Sequence, residues 1–239
     1  MKAIVCGANG AMGQLILAAL GGDAYKVSLD GMNGVPKTFE ELGAVDADVI
    51  IDFSHHSAIA EVLSYAKANY MAVVVGTTGH TEDEKALIFE AAKHIPVFYS
   101  GNMSLGIAVL CNLAKQAAAA FPDADIEILE IHHNRKVDAP SGTAKMLFEA
   151  VKEVRPQATA NCGRSGEGKR TKDEIGISAL RMGNVVGIHE VHICTPSQTL
   201  VLRHEAANRA MFADGAVAAA KFLVGKGAGH YNMTHFLEG

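Results

Sequence analysis

Across the first hundred residues, short β-branched apolar runs alternate with longer stretches in which apolar positions recur every three or four residues. An unbroken apolar run of that length suits a buried strand, and the longer period suits a helix. On that basis residues 2–6 form a strand, closed by Gly7-Ala8-Asn9-Gly10-Ala11-Met12-Gly13, and a helix follows with Ile16, Leu17 and Leu20 on one stripe. A second strand spans 25–29 and ends at Asp30; 32–36 is turn-rich and 38–42 suits a short helix. Next come a strand over 48–54 that carries Phe53 and Ser54 at its polar end, and an amphipathic helix over 58–69. A strand at 71–75 is closed by Gly76-Thr77-Thr78-Gly79, a helix covers 82–93, and a strand at 96–99 ends at Ser100-Gly101-Asn102-Met103. Strands alternating with helices in this way predict a parallel sheet with crossover helices.

The pattern changes after residue 104. A long helix is expected over 106–120, a strand over 126–131, and an amphipathic helix over 144–154 with Met146, Leu147, Ala150 and Val151 on one side. Residues 161–172 are glycine-rich and charged and read as a mobile loop. Strand-like runs at 175–182, 185–193 and 199–205 suggest a mixed sheet with hairpin-like connections, and a helix over 210–224 is expected to pack back onto the first domain. The fold class is therefore α/β: a parallel-sheet domain over 1–103, completed by 210–239, plus a smaller α+β domain over 104–209.

Composition narrows the function. The chain has 239 residues, 49% of them hydrophobic and 20% charged, with a net charge of −5, which argues against a general nucleic-acid binder. Cys6, Cys111, Cys162 and Cys194 are widely spaced without a CxxC pair, a pattern that suits reduced thiols and not a disulfide framework or zinc site. The chain opens on a strand pattern, not on a charged and then apolar leader, and its richest apolar run, 105–120, is broken by Asn112, Lys115 and Gln116. These features lead us to expect a soluble cytoplasmic protein with no membrane partner.

The chemistry concentrates in two places. In parallel sheets ligands bind beyond the carboxyl ends of the strands, where the chain places four small or polar segments: 7–13, 53–54, 76–79 and 100–103. The first is GxxGxxG; Gly7 permits a tight turn, Gly13 permits close helix–strand packing, and the helix amides face an anion such as a pyrophosphate. Asp30, about 20 residues on, stands where an acid holds ribose hydroxyls. The second place is Glu130-Ile131-His132-His133-Asn134-Arg135-Lys136-Val137-Asp138-Ala139-Pro140-Ser141-Gly142-Thr143-Ala144. Imidazoles move protons near neutral pH, long cations hold carboxylates, and a helix opened by Ser141-Gly142-Thr143 offers free amides to a second carboxylate. Together they suit a small dicarboxylate. The alternatives are a solvated surface patch and a plain N-cap; zinc is disfavoured because no third ligand has suitable spacing.

The stretch EIHHNRKVDAPSGTA, with GANGAMG, VVVGTTG, SGNMSLG and HEAANRAMFADGAV, closely resembles the 4-hydroxy-tetrahydrodipicolinate reductase (dihydrodipicolinate reductase) family, over nearly the whole chain. The resemblance implies a Rossmann-like cofactor domain, a substrate-binding and tetramerising second domain, and hydride transfer from NADH or NADPH to a cyclic imine dicarboxylate of lysine and diaminopimelate biosynthesis. It implies that His132 donates a proton, that Lys136 orients the substrate and assists catalysis, and that His133, Lys136, Ser141, Gly142 and Thr143 grip the carboxylates. Gly7, Ala8, Asn9, Gly10, Ala11, Met12, Gly13, Asp30, Phe53, Gly76, Thr77, Thr78, Ser100, Gly101, Asn102 and Met103 match the cofactor positions. The family often has Arg at the position of Ala11 and at that of Gly31; their loss weakens any grip on a 2′-phosphate, so NADH is expected to be used at least as well as NADPH. Two other readings remain: a nicotinamide-binding sensor without chemistry, and a dehydrogenase of amino or hydroxy acids.

Overall fold

Strands β1 (Ala3–Cys6), β2 (Ala24–Val27), β3 (Val49–Asp52), β4 (Ala72–Val75) and β5 (Pro96–Tyr99) are each four residues long, and β1, β3 and β4 are buried at every position. A strand covered on both faces needs apolar side chains at successive positions, which explains the unbroken runs. With β11 (Gly229–Tyr231) they form one parallel sheet in the order β11-β5-β4-β3-β1-β2. The chain leaves β1 for β2 on one side, then crosses to β3 on the other, so the topological switch lies between β1 and β3. Doubly wound sheets bind ligands at that switch.

This computed structural model describes residues 1–22 and 24–239, which divide into two units, Met1–Leu105 with Arg209–Gly239 and Gly106–Asn208. In the first unit, α3 (Ile59–Ala68) and α4 (Glu82–Ala91) cover one sheet face, packing Ile59, Val62, Leu63, Ile88 and Ala91 on Ile4, Ile50, Val73 and Val97. The helix α1 (Ala11–Leu20) pairs with α7 (Ala210–Leu223), which also packs on β3, β4 and β5. The buried side of α7 is mostly alanine and glycine, with Val217 and Leu223, and at Gly215 a Cβ would strike the Met103 carbonyl. The short α2 (Phe39–Leu42) follows β2, and α8 (Met233–Glu238) ends the chain.

The second unit rests on a strand of strict alternation. In β6 (Asp125–His132), Ile126, Ile128, Glu130 and His132 are buried while the intervening positions are not. One face packs on α5 (Leu105–Ala120) through Ile107, Leu110 and Ala114, and on α6 (Gly142–Lys152) through Ala144, Leu147 and Val151. Burying each of these larger aliphatic side chains contributes about 1.5–3 kcal/mol. The sheet has the order β10-β9-β6-β8-β7, with β7 (Thr159–Cys162), β8 (Glu174–Arg181), β9 (Ile188–Cys194) and β10 (Thr199–Glu205).

Three expectations need correction. The stretch 161–172 is not all loop, because β7 includes Asn161 and Cys162, paired in parallel with β8. Among the described strands only β9 and β10 form a hairpin; β8 lies parallel to β6 with β9 on the far side of β6, so the β8–β9 connection passes over a strand. Finally, β11 and α8 lie in a tail where sequence reading placed no element: three strand residues and six helical ones carry too short a pattern to register.

Candidate active site

The loops after β1, β3, β4 and β5 meet as a crevice in the first unit. Met12, Phe53, Gly76, Thr77, Thr78, Gly101, Asn102 and Met103 line a cavity of about 450 Å³ there. Gly7 has φ +75°, and a Cβ on it would strike the Phe53 carbonyl, so only glycine lets the β1 and β3 loops touch. A Cβ on Gly13 would strike the Gly7 carbonyl and come 2.7 Å from Ala8 Cα, and one on Gly76 would enter the Phe53 ring. The Gly7 and Ala8 amides are taken by the Val27 carbonyl, at 2.9 and 3.2 Å, whereas α1 has no side-chain cap and no acid in its first turn. That helix end is where an anion is favoured.

Asn9 ties this loop to the end of β2. Its Nδ2 donates to Asp30 Oδ1 at 2.6 Å and to the Met32 carbonyl at 3.1 Å. The Asn9 bond, with the Met32 amide, holds the Asp30 carboxyl below its ordinary value. Ser100 shapes the loop after β5, its Oγ donating to the Asn102 carbonyl at 2.7 Å. Below the crevice floor Asp52 is fully buried; burial raises its carboxyl although Ser54 and Thr77 bond the ionised form.

In the second unit, alternation along β6 puts Glu130 and His132 on one face, and His132 Nδ1 lies 2.5 Å from Glu130 Oε2. Glu130 has no exposed surface, and Arg181 at the end of β8 donates to both of its oxygens, at 2.8 and 2.7 Å. The Ser141 amide donates to Glu130 Oε1 at 2.9 Å, while Ser141 Oγ caps α6 by accepting from the Ala144 amide at 3.2 Å. On β9, His189 Nε2 is 3.2 Å from Ser141 Oγ, and its ring packs edge-on to that of His132 with centroids 5.0 Å apart. The structure thus joins His132 and Ser141 through Glu130.

Lys136 pairs with Asp138 at 2.7 Å on the loop after β6, and Arg181 Nη2 pins that loop through the Asp138 carbonyl at 2.7 Å. Arg135 instead donates to Asn184 at 2.8 Å. His133 is half-buried with its Nδ1 unpaired among the described residues, and Gly142 is exposed in the first turn of α6, followed by the half-buried Thr143.

Burial pushes the His132 imidazole below its ordinary value; Lys136 and Arg181 act in the same direction and Glu130 opposes them. Burial alone would raise Glu130, but Arg181, His132 and the Ser141 amide favour the ionised form and hold it low. His189 is pushed down to about 4 by burial and by His132.

Sequence reading missed Arg181 and His189, although the spacing of Glu130 to His132 signals a shared strand face. It also left out His55, His56, Arg209 and Phe212, which line the cavity of the first unit. A helix start at Arg209-Ala210 following a polar run carries no local signal that it borders a crevice.

The chain is thus a two-unit α/β protein: a parallel doubly wound unit with a glycine-lined crevice, and a mixed-sheet unit with a Glu–His–Arg cluster. Residues 1–103 match the model of the dihydrodipicolinate reductase N-terminus and residues 106–237 that of its C-terminus; the chain belongs to this family. It is 42% identical to the 4-hydroxy-tetrahydrodipicolinate reductase of Alkaliphilus metalliredigens, covering 99% of both chains. It is also 42% identical to the enzyme of that name from Caldanaerobacter subterraneus, covering 100% of this chain and 98% of the relative. The fold matches a dipicolinate-bound dihydrodipicolinate reductase from Paenisporosarcina with a TM-score of 0.81 at 24% identity, over 97% of both chains. Among the described residues no helix is long and apolar enough to cross a membrane.

Proposed function

We propose that the protein reduces 4-hydroxy-tetrahydrodipicolinate to tetrahydrodipicolinate with NAD(P)H, releasing water and consuming one proton. The observation that carries this reading is His132, fixed at Nδ1 by a buried carboxylate beside the capped N-terminus of α6. The first unit suits a dinucleotide: the uncapped α1 end would take the pyrophosphate, Asp30 the ribose hydroxyls, and the loops at 76–78 and 100–103 the nicotinamide half. When bound, the reduced nicotinamide supplies a hydride.

The chain's own residues supply the rest. Lys136, His133 and the Ser141-Gly142-Thr143 turn hold the two carboxylates and fix the ring, which turns an encounter into an oriented reaction. Hydride addition leaves electron density on the ring that a proton must quench, and the His132 imidazolium donates it. A free-enzyme imidazole lowered by burial and by Lys136 is largely neutral near pH 7; a bound dianion beside it favours the charged form, so proton supply is linked to substrate binding. General acid assistance of this type is worth about 10²–10⁴-fold. Lys136 acts in both ground and transition states, so Lys136→Ala is expected to raise KM and lower kcat together. A homotetramer, the assembly that the family resemblance implies, is the one we infer.

The test is NADH and NADPH oxidation in the presence of synthase-generated substrate. Substrate-dependent turnover supports the reading. Cofactor binding without turnover would favour a sensor, and turnover only with amino or hydroxy acids would favour a different dehydrogenase.

A further inference from the structure

We propose that Glu130 is a positioning residue for the reaction: clamped by Arg181, it holds His132 with its proton on Nδ1 and turns Nε2 toward the substrate. This rests on the role of His132 given above. A carboxylate only accepts hydrogen bonds, so at 2.5 Å the proton shared with His132 belongs to Nδ1. The same carboxylate is occupied on its other sides by both Nη atoms of Arg181 and by the Ser141 amide, so it has no freedom to rotate away. Such full occupancy is what a buried carboxylate needs to remain ionised.

The opposite nitrogen is treated differently. No hydrogen bond among the described residues engages His132 Nε2. Position 187, just before β9, is glycine, and a Cβ there would stand 3.1 Å from Nε2 and 3.7 Å from His189 Cε1. Any side chain at 187 would crowd the nitrogen that has to meet the ring. The groups facing His132 are therefore Glu130 on its own strand, Lys136 on the following loop, Arg181 from β8 and the neutral His189 from β9. Of these only Glu130 favours the imidazolium, so the proton donor depends on it for both orientation and charge.

The experiment is a double-mutant cycle, Glu130→Gln and His132→Gln alone and together, with kcat and KM for substrate and NADH followed from pH 5.5 to 9. Glu130→Gln should lower kcat by about 10–10²-fold, a part of the general-acid factor, with the KM for NADH unchanged. A donor is active when protonated, and loss of the carboxylate lowers the His132 value further, so the descending limb of kcat/KM should move to lower pH. The double variant should be no slower than His132→Gln. If Glu130→Gln slows the His132→Gln enzyme by the same factor as it slows the wild type, Glu130 does not act through His132 and the proposal is overturned. If His132→Gln is itself silent, the proton-donor role fails, and the positioning role with it. Should Glu130→Gln fail to fold, histidine ¹⁵N resonances of the wild-type protein decide, with His132 assigned by its loss in His132→Gln. A neutral ring protonated at Nδ1 supports the proposal, and one protonated at Nε2 overturns it.

Discussion

The crevice of the first unit and the cluster of the second are built from different materials. The crevice is mostly backbone: glycines at 7, 13 and 76 allow loops to approach within distances that a Cβ forbids, and an uncapped helix end supplies the polarity. The cluster is mostly side chain: one buried carboxylate is bonded to an imidazole, a guanidinium and a backbone amide. A backbone site tolerates exchange of its side chains but not of its glycines, and it has little reason to respond to pH. A side-chain site of this kind depends on single atoms and on protonation.

The largest expected effect tests the side-chain half. His132→Gln should lower kcat by about 10²-fold or more, while NADH affinity, read by fluorescence titration, stays within a few-fold of wild type. Equal loss of both would mean that the two regions are not separable in the way their construction suggests.

Gly7→Ala tests the backbone half. The substitution adds a left-handed strain of order 1–3 kcal/mol to a collision with the Phe53 carbonyl, so Tm should fall by several degrees and NADH binding should weaken sharply. Wild-type NADH affinity in a folded Gly7→Ala protein would show that the crevice is less dependent on its backbone than the geometry implies.

Stability against pH separates the regions next. His189 is lowered from 6.5 to about 4, so the unfolded chain binds its proton first as pH falls. Its contribution is therefore complete above pH 6.5 and is lost on acidification toward pH 4, with an upper bound of about 3 kcal/mol. His189→Gln should flatten the dependence of denaturant midpoint on pH between those limits. An unchanged slope would mean that His189 is not the residue that must be charged on acidification.

The smallest effect concerns the cofactor. The stem of Lys37 lies across Gly31, where a Cβ would come 2.8 Å from Lys37 Cγ, beside Asp30. We infer that NADH is used at least as well as NADPH, because Asp30 opposes a 2′-phosphate and Lys37 is an exposed counter-charge worth about 0.2–1 kcal/mol. Lys37→Ala should lower kcat/KM for NADPH about two- to five-fold, leave NADH unchanged, and lose its effect at high salt. A strong NADPH preference that survives in Lys37→Ala would place the phosphate partner elsewhere.

Much of the crevice was legible in the sequence because its parts are local. Each loop follows its own apolar run, and Gly7, Gly13 and Asp30 keep fixed offsets within one strand–helix–strand unit. His132, His133, Lys136 and Ser141 were equally legible, since they lie within ten residues of one another. The shared face of Glu130 and His132 was not read, because the expected strand stopped at residue 131 and β6 runs on to His132. What no local pattern encodes is register. The pairing of β6 with β8 sets His132 opposite Arg181, and its pairing with β9 sets Glu130 opposite His189. Periodicity tells a strand which side to bury but not which distant strand will lie beside it or at what offset. The residues that surround Glu130 and His132, 49 and 57 positions further along the chain than His132, therefore came only from the tertiary structure.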